Sequence, residues 1–248
     1  MKTEYISIGE MPVKLYLSER PQGAVIAVHG FGGSKESAAI GRLAERLCPR
    51  GLCVVAVELP MHGERGGSCE QLSPQNITKE IMAAEEYAQN RFGGDLYAFA
   101  TSFGGMNMLM RIERGNPYKR IVLRVPAVNM AETLITICRG GNADFSLGNA
   151  VTEGFRFTIG REYVIPYCFY EGLKECSCLR YSEVWDSDRI MTIYSGRDEL
   201  VSPADTEIFL SKNPAIKRLC IQQAGHRMSG AGQLDEALNA AEGFFFGE

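Results

Sequence analysis

Short, wholly apolar runs alternate along the chain with stretches whose apolar residues recur every three to four positions, the pattern of strands interleaved with helices. Two segments, Glu4–Ile8 and Val13–Leu17, flank the turn-forming Gly9-Glu10 and read as an antiparallel hairpin. Ala24–Val28 is apolar throughout, as expected of a strand covered on both faces of a parallel sheet. A helix follows over Ser34–Leu47, with Ser34 as its N-cap and Gly51 beyond its end. The rhythm then predicts a strand at Cys53–Val57, a helix near Thr78–Arg91 stopped by Gly93-Gly94, a strand at Leu96–Ala100, a helix at about Phe103–Glu113 and a strand at Ile121–Val125. It resumes late in the chain with a strand at Ile190–Tyr194, a helix at Pro203–Ser211, a strand at Ile216–Ile221 and a terminal helix at Gln233–Phe246.

Between these halves the alternation breaks. A helical piece near Ala131–Cys138 gives way to glycine-rich and aromatic stretches, read as extended at Phe155–Ile159 and Tyr163–Tyr170. The expected organisation is therefore one core domain, 1–126 with 184–248, carrying an inserted cap at 127–183. An opening hairpin and an insertion argue against an eight-fold βα barrel, which alternates strictly from its start. The pattern predicts an α/β fold: a mostly parallel, doubly wound sheet with an N-terminal antiparallel hairpin. In such sheets ligands bind outside the carboxyl ends of the strands, so the residues following each strand are the place to look for chemistry.

Composition narrows the function. Of 248 residues, 45% are hydrophobic and 23% charged, enough for a sizeable core. Lys and Arg number 26 against 30 Asp and Glu, a net charge of −4 with no basic block, which argues against a nucleic-acid partner. No run approaches the roughly 18 apolar residues of a membrane span, and the first residues lack a signal-peptide core, so a cytoplasmic protein without a membrane partner is expected. The eight cysteines form no CxxC pairs and the histidines number three, so free thiols, no metal and no cofactor are expected.

Four strand ends carry polar chemistry. Leu96–Ala100 runs into Thr101-Ser102-Phe103-Gly104-Gly105 and then an apolar helix, which places Ser102 where strand becomes helix. Small residues two before and two after it, Ala100 and Gly104, relieve the crowding of a tight turn that projects the hydroxyl outward. The first parallel strand ends in His29-Gly30-Phe31-Gly32-Gly33, a loop able to aim a backbone N–H at a developing oxyanion. The donors assigned are the N–H groups of Phe31 and Phe103. A phosphate loop is excluded by spacing, since Lys35 is followed by Glu36 and the glycines match neither GxxxxGK nor GxGxxG. A nucleophilic serine needs a base, and His226 lies directly after the last strand; Asp198 follows the strand before it, with Glu199 and Asp205 as rivals to orient the imidazole.

The order Ser102, Asp198, His226 resembles that of the α/β-hydrolase superfamily. The likeness runs through nearly all of the chain, from His29-Gly30-Phe31-Gly32-Gly33 through Ala100-x-Ser102-x-Gly104 and Asp198-x-x-Val201 to Gly225-His226. The loop Glu58-Leu59-Pro60-Met61-His62-Gly63 is similar to the segment beside the oxyanion loop of carboxylesterases and monoglyceride-lipase-like enzymes, which more often carry Asp in place of Glu58. Two further departures are Ala100 and Ser195, where the family more often has Gly. The segment Phe155–Tyr163 resembles, more loosely, the short caps of bacterial feruloyl and cinnamoyl esterases. The resemblance implies a serine esterase with Ser102, His226 and Asp198 as catalytic residues, acting on a small-molecule ester of short-chain or hydroxycinnamoyl acids. His29, His62, Phe155 and Phe157 are the candidates to line its pocket. A peptidase or thioesterase of the same fold, a lyase, or a small-molecule receptor that retains the three residues are the competing readings.

Overall fold

A computed structural model describes residues 1–248 other than 142, 143, 160, 182, 183 and 185. Gly160, inside the cap-like stretch, and residues 182 and 183, at the end of the expected insertion, thus lie outside the described residues. The chain opens with strands β1 (Lys2–Ile8) and β2 (Met11–Leu17), paired antiparallel around Gly9-Glu10. Then come β3 (Gly23–Val28), helix α1 (Ala38–Leu47), β4 (Leu52–Val57), α2 (Pro74–Phe92), β5 (Asp95–Thr101), α3 (Phe103–Ile112) and β6 (Tyr118–Arg124). After an intervening segment follow β9 (Ile190–Ser195), α7 (Pro203–Lys212), β10 (Lys217–Ile221) and α8 (Gln233–Phe246). The segment between holds α4 (Met130–Gly141), α5 (Leu147–Glu153), the antiparallel pair β7 (Phe155–Ile159) and β8 (Arg161–Ile165), and α6 (Tyr167–Glu175).

Eight strands form one sheet in the order β1-β2-β4-β3-β5-β6-β9-β10, antiparallel at the hairpin and at β2–β4 and parallel elsewhere. β3 and β4 are buried at every position because both faces are covered. Val25, Ala27, Val54 and Phe99 pack under Leu43 of α1 and Leu238 of α8, whereas Ile26, Val55 and Ala98 face Ile81 of α2 and Leu109 of α3. The sheet is therefore doubly wound. Each parallel strand ends at the same edge, and the loops after β3, β5, β6, β9 and β10 meet there.

Two expectations need correction. The first helix begins at Ala38 and not at Ser34, because Lys35 is turned inward to Glu58 by both its backbone N–H and its ammonium group. Tyr163–Tyr170 is not one extended stretch: β8 ends at Ile165, Pro166 adopts an extended backbone ahead of the helix, and α6 starts at Tyr167. Among the described residues all eight cysteines are free, Cys168 exposed and Cys69 and Cys220 half-buried, and no helix is long and apolar enough to cross a membrane.

Candidate active site

Ser102 occupies a turn of one residue between β5 and α3, at φ 52° and ψ −115°, a region costly for any residue with a Cβ. Packing on both sides enforces it. The Ser102 N–H donates to the Arg124 carbonyl at 3.0 Å, and its own carbonyl accepts from Ala127 N–H at 3.0 Å. The first turn of α3 crosses so close to the end of β3 that a Cβ on Gly104 would meet the carbonyl oxygens of His29 and Val28 at 2.6 and 2.7 Å. Only glycine fits there, so the small residue read from the sequence has a steric cause.

His226 reaches Ser102 from the loop after β10, with Nε2 3.1 Å from the Ser102 Oγ. Its Nδ1 lies 3.0 and 2.9 Å from the two carboxylate oxygens of Asp198. Asp198 Oδ1 also accepts from the N–H groups of Leu200 and Val201, at 2.9 and 2.8 Å, which fixes the carboxylate. Glu199 faces the other way and accepts the backbone N–H of His226 at 2.9 Å, while Asp205, in α7, accepts from Asn129. Of the three acidic candidates, Asp198 alone faces the imidazole.

The loop after β3 lies on the opposite side of Ser102. Among the described residues neither the Phe31 nor the Phe103 N–H has an acceptor, the latter because the first turn of a helix offers none. The Phe31 ring packs against His62 and Phe103, with centroids 4.8 and 5.4 Å away, and against Phe157 and Tyr163 of the β7–β8 hairpin at 5.6 and 5.0 Å. Gly32, at φ +73°, lies so close to Ile159 that no side chain fits between them. The hairpin thus seats directly on the loop.

Behind the loop is a buried polar cluster. Glu58 accepts from Lys35 twice, from its N–H at 2.8 Å and its Nζ at 3.0 Å, and Arg65 Nη1 donates to the Glu58 carbonyl. Burial would raise the Glu58 pKa, but the hydrogen bonds from the Lys35 ammonium group and N–H overcome it and bring the group to about 2. His29 Nδ1 donates to the Gly30 carbonyl at 2.8 Å and its Nε2 accepts from Leu59 N–H at 3.1 Å. With that tautomer, its 3.4 Å approach to Glu58 is not an ion pair, and Lys35 is the group that neutralises the carboxylate. His62 is wholly buried; Nδ1 donates to the Pro60 carbonyl and, among the described residues, Nε2 has no partner. Burial first, and then the neighbouring His29, push its pKa down to about 3.

A cavity of about 510 Å³ opens over Ser102 and His226. His29 and Phe31 contribute to its wall, as do Ile159, Arg124, Arg227 and Leu234. His62, Phe155 and Phe157 do not. Phe155 is fully buried among Phe145, Tyr167 and Tyr170, and Phe157 stacks on Tyr163, so these aromatics hold the inserted segment together instead of lining the wall. Sequence reasoning missed Arg124, although it stands at the carboxyl end of β6 where such residues belong. Among the described residues no group of three His, Cys, Asp or Glu side chains is placed to hold a metal ion.

No protein-family model matches the sequence, and no curated protein matches it. Solved structures do resemble it over nine-tenths or more of their length. Est1E from Butyrivibrio proteoclasticus, in a structure with ferulic acid bound, has a TM-score of 0.77 at 18% identity, covering 98% of each chain. Alpha/beta hydrolase domain-containing protein 10 from mouse has a TM-score of 0.76 at 13% identity, over 100% of this chain and 99% of that one. A Pyrococcus furiosus esterase has a TM-score of 0.66 at 17% identity, over 99% and 91%. The sheet order, the strand-to-helix turn and these likenesses agree: the chain has the α/β-hydrolase fold.

Proposed function

We propose that the protein is a serine hydrolase that cleaves carboxylic esters through an acyl-enzyme. The observation that carries this reading is the continuous contact Ser102 Oγ to His226 Nε2 and His226 Nδ1 to Asp198, set beside two unpaired N–H groups. His226 takes the Ser102 proton as Oγ adds to the ester carbonyl, and the Phe31 and Phe103 N–H groups receive the oxyanion. The tetrahedral intermediate collapses, the C–O bond to the alcohol breaks, and His226 returns the proton to that alcohol. Water, deprotonated by His226, then releases the acid and restores Ser102. Asp198 keeps the proton of the neutral imidazole on Nδ1 and stabilises the imidazolium.

The inserted segment, expected at 127–183, acts as a cap whose hairpin closes one wall of the cavity through Ile159. Short-chain acyl or hydroxycinnamoyl esters are the proposed substrates; the likeness to a structure holding ferulic acid supports the second. The reaction needs no cofactor. Ser102→Ala tests the whole reading. It should abolish labelling by a fluorophosphonate probe and lower turnover of p-nitrophenyl esters about 10⁴- to 10⁶-fold. Retention of wild-type esterase activity by this variant would exclude the mechanism, and labelling of the wild type without turnover of any ester would favour a receptor or a lyase.

A further inference from the structure

The whole chain carries a net charge of −4, yet the wall of the cavity over Ser102 contains two arginines, Arg124 and Arg227, and among its described residues no Asp or Glu. Arg227 is exposed at the rim. Arg124 is 6% exposed at the end of β6, directly beside Ser102, whose N–H its carbonyl accepts. The chain is bent sharply after it by Val125, at φ 43°, and Val125 N–H is anchored to the Ile193 carbonyl at 2.7 Å, so the guanidinium is set in place from the backbone upward.

That guanidinium is under-satisfied. Nη2 donates to the Arg227 carbonyl at 3.0 Å and touches the His226 carbonyl at 3.5 Å, while among the described residues the buried Nε has no partner. Neither arginine makes an ion pair among the described residues. Asp198 favours the charged form of Arg124 from a distance, but its oxygens are already engaged by the His226 ring and the Leu200 and Val201 N–H groups. Burial lowers the Arg124 pKa only to about 10, so it remains a cation at neutral pH. A buried cation lacking a counter-ion is costly unless something supplies one.

We propose that the cavity is built for esters bearing a second, ionised carboxylate, which pairs with Arg124 and is drawn in by Arg227. Planar guanidinium groups match carboxylates in geometry as well as charge, and a water-poor wall strengthens the attraction. This inference rests on the esterase reading for its chemistry but not for its binding step.

The test pairs isosteres on each side of the scissile bond: p-nitrophenyl hemiglutarate against p-nitrophenyl valerate places the anion on the acyl group, and 4-acetoxybenzoate against phenyl acetate places it on the leaving group. In at least one pair kcat/KM should favour the anionic ester about tenfold or more at low salt, and the preference should shrink as salt is raised. Arg227→Gln and Arg124→Gln should each cut that ratio about tenfold, with Arg124→Lys restoring part of it. Because Arg124 is buried and its loss could unfold the loop, the Arg227 variant carries the test if Arg124→Gln is misfolded. Titration of glutarate monomethyl ester against methyl valerate, and of 4-acetoxybenzoate against phenyl acetate, into Ser102→Ala reads the cavity without turnover, and in at least one pair the anion should bind at least tenfold tighter. Ser102-dependent hydrolysis with no anionic preference in either pair would overturn this inference and leave the esterase standing. Equal binding within both of these pairs would overturn it whether or not any ester is cleaved.

Discussion

The two loops that flank Ser102 are held by different physics. The loop after β3, which offers the Phe31 N–H, is fixed from behind by buried charge and from the front by aromatic packing. Glu58 and Lys35 tie it to the end of β4, and Phe157 and Tyr163 of the inserted hairpin press on Phe31. The loop after β10, which carries His226, has no such charge cluster or ring packing. Beyond the buried Ala224 and Met228 it is held by hydrogen bonds to its backbone, among them Ser195 to the Gly225 carbonyl, the Arg197 N–H to the Ala224 carbonyl, Glu199 to the His226 N–H, and Arg124 to the Arg227 carbonyl. The difference suits their proposed tasks. An oxyanion donor works best if it does not move at all, since preorganisation is its contribution. A general base must accept and release a proton, so its backbone is steadied while its ring is held only by its two working contacts.

If the comparison is right, damage to the first loop should cost stability and damage to the second should cost turnover. The largest effect is expected from Glu58→Ala. It strips Lys35 of its buried partner, leaving an ammonium group only about 5% exposed with the exposed Glu64 alone. Removing one member of a buried pair costs about 3–5 kcal/mol, so urea unfolding should show a loss in that range. A loss below about 1 kcal/mol would mean that the cluster does not anchor the loop.

His62 gives the next effect, through pH. Its folded pKa, about 3, lies below the ordinary 6.5, so the unfolded chain binds the proton first as pH falls. The stability contributed by neutral His62 is complete above about 6.5 and is lost at about 1.4 kcal/mol per pH unit on the way down to about 3. Glu58, also with a depressed pKa, contributes stability that is present above about 4.5 and is lost only between there and about 2. The slope of stability between pH 6 and 5 should therefore be shallower in His62→Phe than in the wild type, by up to that amount. Parallel curves over this interval, measured by chemical unfolding, would show that His62 is not buried as a neutral ring.

Much of the sheet was legible because its signals are local. Alternation of apolar strands and amphipathic helices placed β3, β5 and α8 within a residue or so, and the strand-end rule pointed to Ser102, Asp198 and His226, which the fold brings within hydrogen-bonding distance. What failed depends on tertiary contacts. Ser34 has the chemistry of an N-cap, but the pull of Glu58 on Lys35 delays the helix to Ala38. The aromatic run at 163–170 has strand propensity throughout, and the break at Pro166 outweighs it. Helix α5 is too short and too little buried to leave a periodic signal. His62 and Phe157 read equally well as pocket or packing residues, since an aromatic ring serves both, and only the location of the cavity distinguishes the two.

Ser195 provides the finest test. The resemblance expects glycine here, and the structure supplies a reason for serine: its hydroxyl donates to the Gly225 carbonyl at 2.9 Å, one residue before His226, from a buried position at the end of β9. Ser195→Ala should cost only about 1 kcal/mol in thermal unfolding, the usual worth of one neutral hydrogen bond. Its effect on kcat should nevertheless be several-fold, with KM little changed, because the imidazole is then less often aligned with Ser102 and substrate contacts are untouched. Glu199→Gln, which keeps an acceptor for the His226 N–H at an exposed site, should change neither quantity measurably. A Ser195→Ala enzyme with unaltered kcat, or one that loses as much stability as Glu58→Ala, would erase the distinction between a loop held for rigidity and a loop held for aim.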